Sequence, residues 1–389
     1  MERAELIKLI RWTGCAEERG GFVLLCDPLW SPVQRAEFES LRTKIEDRRL
    51  TIPQGWLCVP TGGTGGGLRF ARHDEQTLSA AARGFCRHFG LGRVNAVDVL
   101  PPHHVSGLMS RVRCVETAGS HVAWGWKQLE AGDRPKLDPA PDGWVISLVP
   151  TQLQRLLANP ESVRWLKNFR MIFIGGGPLW PELADAAAEL PLSLSYGMTE
   201  TAAMVTALLP TDFSSGMRSS GPALPHARIT LDAEDRVVIS GESVFRGYLA
   251  DQSLCHPMDD KVGLGAAERR IVTEDIGRID ERGHLHVLGR RDAVIITGGK
   301  KVNPAEVEAA LRASGEFADV AVAGVNDSEW GQAVVAFYPE SGRTPDFAQA
   351  SASLAAHQRP KRFVAVAAAD WPRNEQGKVN RAALTRWVK

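Results

Sequence analysis

Short apolar runs alternate with stretches of helical periodicity through the middle of the chain. Val145-Ile146-Ser147-Leu148-Val149 precedes a helical segment from Gln152 to Leu157. Met171-Ile172-Phe173-Ile174 runs into the turn Gly175-Gly176-Gly177-Pro178, and a further helix follows from Pro181 to Glu189. Strand, turn and helix in that order predict parallel α/β layers. After about Ser219 the texture changes. Ala227-Arg228-Ile229-Thr230-Leu231 and Arg236-Val237-Val238-Ile239-Ser240 are separated by turn residues, as in β-hairpins, and Gly283-His284-Leu285-His286-Val287-Leu288 alternates in the same way. From Asn303 a helix begins. Pro304 suits its first position, and Glu306 and Glu308 lie near the positive end of its dipole. Strand-like Val320-Ala321-Val322-Ala323 and Ala333-Val334-Val335-Ala336-Phe337 follow. The predicted fold class is α/β, α+β in part. A domain boundary falls near Gly289 to Asp292, dividing the chain into residues 1–289 and 290–389.

A chain of 389 residues carries two or three domains on length alone, with room for a cleft between them. Lys plus Arg equals Asp plus Glu at 46 each, so charge gives no argument for nucleic acid or an anionic membrane surface. No apolar run approaches the ~20 residues of a membrane span. Met1-Glu2-Arg3-Ala4-Glu5 lacks the basic-then-apolar order of a signal peptide. Six scattered cysteines without a C-x-x-C pair argue against a zinc site or disulfide scaffold and fit a reducing cytosol. A cytoplasmic protein is expected; homo-oligomerisation stays open.

Four stretches carry candidate chemistry. Apolar Trp56-Leu57-Cys58-Val59 leads into Pro60-Thr61-Gly62-Gly63-Thr64-Gly65-Gly66-Gly67-Leu68-Arg69-Phe70. Its five glycines let backbone N–H groups turn inward as a nest for phosphate oxygens, with Thr61 and Thr64 as hydroxyl donors and Arg69 as a fixed cation. It is not a Walker loop, because Leu68 and Arg69 stand where Lys and Ser/Thr are required. A plain surface loop is the other reading. In Ser195-Tyr196-Gly197-Met198-Thr199-Glu200-Thr201, Glu200 offers a carboxylate for Mg²⁺ and Tyr196 a ring for a nucleobase; the alternative is a helix cap at Thr199. Thr273-Glu274-Asp275-Ile276-Gly277-Arg278 and Gly289-Arg290-Arg291-Asp292 offer a ribose-binding carboxylate, or ordinary hairpin ends. Lys378, in Pro372-Arg373-Asn374-Glu375-Gln376-Gly377-Lys378-Val379-Asn380-Arg381, is a solvated lysine unless it reaches a distant site and neutralises phosphate charge.

Taken in order, these stretches resemble the adenylate-forming superfamily of acyl- and aryl-CoA ligases, nonribosomal peptide adenylation domains and luciferases. The resemblance runs from about Trp56 to Arg381. Thr61, Gly63, Thr64 and Gly66 match the superfamily's phosphate loop. Gly62 and Gly65 replace two hydroxyl residues there, and Arg69 stands at its lysine. Gly175 and Gly176 resemble the adenine-side glycine turn, and Tyr196, Gly197, Thr199 and Glu200 match Tyr-Gly-x-Thr-Glu. Asp275 sits at the ribose position, although the family Thr-Gly-Asp has become Thr-Glu-Asp. Pro102-His103-His104-Val105-Ser106-Gly107 resembles an aromatic/His motif that places His104 at the acyl pocket, which Ser195 also lines. Arg290 and Asp292 match the hinge motif, with Asp292 as pivot. Gly298-Gly299-Lys300-Lys301-Val302-Asn303 matches the loop that lines the CoA channel. Trp330-Gly331-Gln332 and the catalytic Lys378 complete the set.

The resemblance implies a large N-terminal domain of layered α/β subdomains plus a β-rich one, and a small mobile C-terminal α+β domain. It implies an acid–thiol ligase with ATP, Mg²⁺ and CoA, in which Lys378, Glu200 and Arg69 are catalytic and Glu200 holds the metal. Pro60-Thr61-Gly62-Gly63, His104-Val105-Ser106-Gly107-Leu108-Met109 and Ser147-Leu148-Val149-Pro150-Thr151-Gln152-Leu153 are similar to the short o-succinylbenzoate–CoA ligases of menaquinone and phylloquinone synthesis. With about 55 residues before the phosphate loop, the N-terminal subdomain is expected to be reduced.

Overall fold

The structure is a computed structural model that describes residues 1–46, 54–61, 68–249, 269–373 and 379–388. Gly63, Thr64, Gly66 and Lys378 lie outside these residues. The apolar runs of the middle of the chain form a six-stranded sheet. Its order is Ala203–Ala207, Leu192–Met198, Met171–Ile174, Trp144–Leu148, Asn95–Asp98, His121–Ala123. Every neighbouring pair is parallel except Ala203–Ala207 against Leu192–Met198. Parallel neighbours need crossovers, and the helices Val105–Glu116, Pro150–Leu157, Pro160–Leu166 and Pro181–Ala186 supply them.

Both faces of this sheet are covered, which explains why its strands read as continuous apolar runs. Ile146, Leu148, Ile172 and Ile174 pack with Leu153, Leu156, Leu166 and Leu183 of the crossover helices. The alternate residues Val145, Met171 and Phe173 pack on the other side with Phe85 and Phe89. Those two belong to the helix Glu75–Phe89, capped by Asp74 at one end and Gly90 at the other. Each such fully buried side chain contributes about 1.5–3 kcal/mol.

The helix expected over Pro181 to Glu189 ends at Ala186. Ala187 and Leu190 instead turn into the core, and the chain re-enters the sheet at Leu192. The hairpins expected after Ser219 form a four-stranded antiparallel sheet in the order Ala227–Leu231, Arg236–Gly241, Arg270–Ile279, Leu285–Arg290. Val237, Ile239, Ile271 and Leu285 cover its inner face. A five-stranded sheet brings Leu57–Thr61 and Arg69–His73 together, edged by Tyr248–Leu249. The last sheet is built from Ile295–Thr297, Lys300–Val302, Ala321–Asp327, Gly331–Pro339 and Arg362–Val366. Beside it runs the helix Pro304–Ala313, which starts as the sequence predicts, with the Asn303 side chain accepting from Ala305 N. Among the described residues no helix is long and apolar enough to cross a membrane.

One ion pair ties the end of the strand Arg69–His73 to the segment that returns to the five-stranded sheet. Asp74 Oδ2 accepts from Arg246 Nε at 2.7 Å and from Gly55 N at 3.1 Å, while Oδ1 accepts from Thr77 N at 3.1 Å. Burial alone would raise the Asp74 pKa. The ion pair and the two N–H donors outweigh it and hold the carboxyl below its usual range. A depressed folded pKa adds stability above the ordinary carboxylate range, and that stability is lost as pH falls through the folded value. Arg246→Met should therefore cost about 3–5 kcal/mol at neutral pH. In urea unfolding, the gap between wild type and Asp74→Asn should narrow as the solution is acidified.

Candidate active site

The carboxyl ends of the parallel strands open the crevice where doubly wound sheets bind ligands. Met171–Ile174 ends there in Gly175, and Leu192–Met198 ends there in the Thr199–Thr201 turn. This turn is a single 3-10 turn; the helix cap offered as the other reading of Thr199 does not form. A Cβ on Gly197 would overlap the backbone of Ala203, so the two strands approach only because residue 197 is glycine. Ala202 and Ala203 follow with φ of 54° and 75°. Non-glycine residues in that region cost about 1–3 kcal/mol each and persist where surroundings impose them.

The surroundings are specific. His73 Nε2 donates to Thr199 O at 2.8 Å, and Phe245 N donates to Glu200 O at 2.8 Å. Burial lowers the His73 pKa to about 4, so the ring is neutral at pH 7. The turn delivers Glu200, whose residue surface is 4% exposed. Glu200 Oε1 accepts from Thr61 Oγ1 at 3.1 Å and from Tyr248 Oη at 2.8 Å. The guanidinium carbon of Arg69 lies 4.8 Å from the centre of the Tyr248 ring. Thr61, Arg69 and Glu200, from two separate motifs, thus meet around Tyr248.

Sequence reasoning missed Tyr248. A signal existed: the chain has three tyrosines, and two of them, Tyr196 and Tyr248, are at this site.

A second group adjoins on the antiparallel sheet. Tyr196 Oη donates to Asp275 Oδ2 at 2.6 Å. Arg290 Nη1 reaches Asp275 Oδ1 at 3.4 Å, while its Nε and Nη2 grip Asp292 at 2.9 and 2.6 Å. Asp275 and Arg290 are paired across neighbouring strands, beside a register shift at Ile276/Gly277. Burial, then the adjacent Asp275 charge, pushes the Tyr196 phenol well above its usual pKa, so it remains a donor.

Ser195 Oγ donates to Ile174 O at 3.2 Å, close against Gly175, and Gly176 adopts φ +79° to turn the chain. His104 caps the helix Val105–Glu116 without a side-chain cap bond, its ring centre 4.4 Å from that of His103. Burial, reinforced by His103 and opposed by Asp27, brings its pKa down to about 4. Gly298 and Gly299 form the hairpin turn between Ile295–Thr297 and Lys300–Val302, where Gly298 N donates to Trp330 O at 2.9 Å. They lie on the last sheet, apart from the groups above.

This chain belongs to the AMP-binding enzymes: that family's profile matches residues 58–249, and the profile of the AMP-binding enzyme C-terminal domain matches residues 306–378. Within the family it is similar to 2-succinylbenzoate–CoA ligases. It is 29% identical over 350 residues to the protein of that name from Geobacillus sp. (strain WCH70), covering 84% of this chain and 68% of that one. It is 32% identical over 263 residues to the one from Geobacillus kaustophilus (strain HTA426), covering 64% and 52%. Against most of these curated relatives the chain spans about half of their length, as with the 52% covered in the second. The fold matches o-succinylbenzoate CoA synthetase (MenE) from Bacillus subtilis, solved with the acyl-adenylate intermediate OSB-AMP. That match has a TM-score of 0.71 at 23% identity and covers 88% of this chain and 73% of that one.

The Tyr196–Asp275 bond yields a spectroscopic expectation. Alkaline titration of tyrosine absorbance should show one phenol that resists ionisation until the protein unfolds, and Tyr196→Phe should remove it. The same substitution should cost about 1.5–3 kcal/mol in urea unfolding, the worth of a hydrogen bond to a charged group.

Proposed function

We propose that this chain is an ATP-dependent acid–CoA ligase that forms an acyl-adenylate and then a CoA thioester. The proposed acid is o-succinylbenzoate, giving o-succinylbenzoyl-CoA on a route to menaquinone or phylloquinone in the cytoplasm. The observation that carries this reading is the meeting of Thr61, Arg69 and Glu200 around Tyr248, at the crevice end of a sheet in a chain of the AMP-binding family.

Glu200 suits a Mg²⁺ ion that arrives with ATP. It is a hard carboxylate ligand, and among the described residues its side-chain hydrogen bonds, from Thr61 and Tyr248, fall on Oε1. The ion supplies charge neutralisation on the phosphate oxygens. Arg69 and the loop with Gly63, Thr64 and Gly66 hold the β- and γ-phosphates. Gly175, Gly176 and Tyr196, followed by Gly197 and Thr199, frame the adenine side. Asp275, which Arg290 Nη1 contacts, accepts the ribose hydroxyls. His104 and Ser195 border the acid.

In the first half-reaction a carboxylate oxygen of the acid attacks the α-phosphorus, the bond to the bridging oxygen breaks, and pyrophosphate leaves. Lys378 neutralises the charge that builds on the pentacoordinate centre, an effect that is worth several kcal/mol when preorganised. Residues 290–389 then turn about Asp292 relative to residues 1–289, withdrawing Lys378 and bringing Gly298 and Gly299 in beside the thiol path. The CoA sulfur attacks the acyl carbon, and AMP departs. Two half-reactions on one site are the reason for a mobile small domain.

Lys378→Ala should abolish adenylate formation, read as acid-dependent pyrophosphate release, and leave thioesterification of supplied acyl-adenylate largely intact. Equal loss of both would remove the assigned role. Across a panel of acids with ATP and CoA, o-succinylbenzoate should be consumed far faster than benzoate, coumarate or fatty acids. A winning fatty acid would place the chain with another acyl-CoA ligase group; no pyrophosphate with any acid would mean a non-catalytic binding protein on this fold.

A further inference from the structure

Asp27 lies against His103 and His104 at the start of the helix Val105–Glu116, and nothing in the reaction above uses the first two. Each offers one ligand atom, and the three atoms lie within 4.8 Å of one another. His103 Nε2 is 3.6 Å from Asp27 Oδ1, and the two imidazole centres are 4.4 Å apart at 51°. His103 is buried, with 3% of its surface exposed. The donors come from two segments held by their own backbone bonds. Asp27 follows the strand Phe22–Leu25, and its Oδ1 also accepts from Leu29 N at 2.8 Å. The histidine pair sits in a turn in which His104 N donates to Pro101 O at 3.1 Å, and Leu108 N to His104 O at 2.9 Å.

We infer that Asp27, His103 and His104 form a binding site for a borderline divalent transition ion of the zinc class, and that occupancy of this site inhibits use of the acid. Two imidazoles and one carboxylate are the donors such ions favour, whereas magnesium and calcium prefer oxygen alone. Metal–ligand bonds of about 2.1 Å at tetrahedral angles require donors about 3.4 Å apart. His103 and Asp27 already stand near that spacing, and a shift of the His104 ring nitrogen by at most roughly 1.4 Å completes it. Three protein ligands leave a fourth position for water or a small anion. Ligation takes up a ring nitrogen of His104, the residue that borders the acid in the proposed reaction. This second half of the inference rests on the ligase reading of His104; the binding itself does not.

The full chain, without ATP or CoA, would be titrated with Zn²⁺ by calorimetry and with Co²⁺ by visible absorption. One equivalent should bind, with the intense d–d bands of a tetrahedral cobalt site. Asp27→Asn and His103→Asn should each weaken binding by at least about tenfold, with circular dichroism and melting temperature showing both variants folded. Binding that is absent, or unchanged in both variants, overturns the site. In steady-state assays Zn²⁺ should raise the KM for the acid severalfold in the wild type. Asp27→Asn should keep its metal-free activity and lose that sensitivity. Zinc that leaves KM unchanged or lowers it overturns the inhibitory effect. Absence of turnover with every acid, in protein that still binds cobalt at one equivalent, would strike the ligase reading and spare the site.

Discussion

The buried carboxylate of Glu200, accepting from Thr61 and Tyr248, is the point on which the architecture converges. Its partners come from the five-stranded sheet, Thr61 from the strand Leu57–Thr61 and Tyr248 from the short edge strand, and its own backbone is held by Phe245. A carboxylate at 4% exposure is costly to bury unless its oxygens are satisfied. Those bonds therefore do two things at once. They offset the desolvation of Glu200, and they bring the glycine-loop strands and the end of the parallel sheet into register. The positive φ of Ala202 and Ala203 is tolerated for the same reason: the turn is held on several sides, by His73, Phe245 and the strand pairing at Gly197.

Around that point each layer contributes one kind of group. Parallel strands present backbone ends and small residues such as Gly175 and Ser195. The antiparallel sheet presents the ionic chain Asp275–Arg290–Asp292. The last sheet carries Gly298 beside Trp330, whose ring also lies 4.4 Å from Lys361 Nζ. The last sheet's helix meets the rest at Leu288 and at Trp180: its cap Asn303 donates from Nδ2 to Leu288 O at 2.8 Å, and the guanidinium carbon of Arg312 lies 5.6 Å from the ring centre of Trp180, just before the helix Pro181–Ala186.

What was legible in the sequence follows from how local each signal is. The start of the helix at Asn303 and Pro304 was readable because a cap involves three neighbouring residues. The parallel sheet was readable because two-sided burial leaves uninterrupted runs such as Met171 to Ile174. The end of the helix at Ala186 was not, because Ala187 and Leu190 look helical by composition and turn only to fill the core. At the site, Thr61 and Glu200 were found in separate motifs, but their mutual hydrogen bond is a tertiary fact. Tyr248 belongs to no motif; its meaning comes from an edge strand of two residues placing it between Arg69 and Glu200.

Arg290 is a counter-ion with two claimants. Three of its nitrogens are spent on Asp275 and Asp292, and the tighter grip is on Asp292. A ligand that engages Asp275 competes with, or reinforces, the longer of these contacts, and any rearrangement at Asp292 redistributes the same guanidinium. Thermodynamic linkage makes that exchange reciprocal. If the proposed roles of Asp275 and Asp292 hold, the occupancy of one carboxylate and the backbone conformation at the other would be two readings of a single equilibrium, with one arginine side chain as its balance beam.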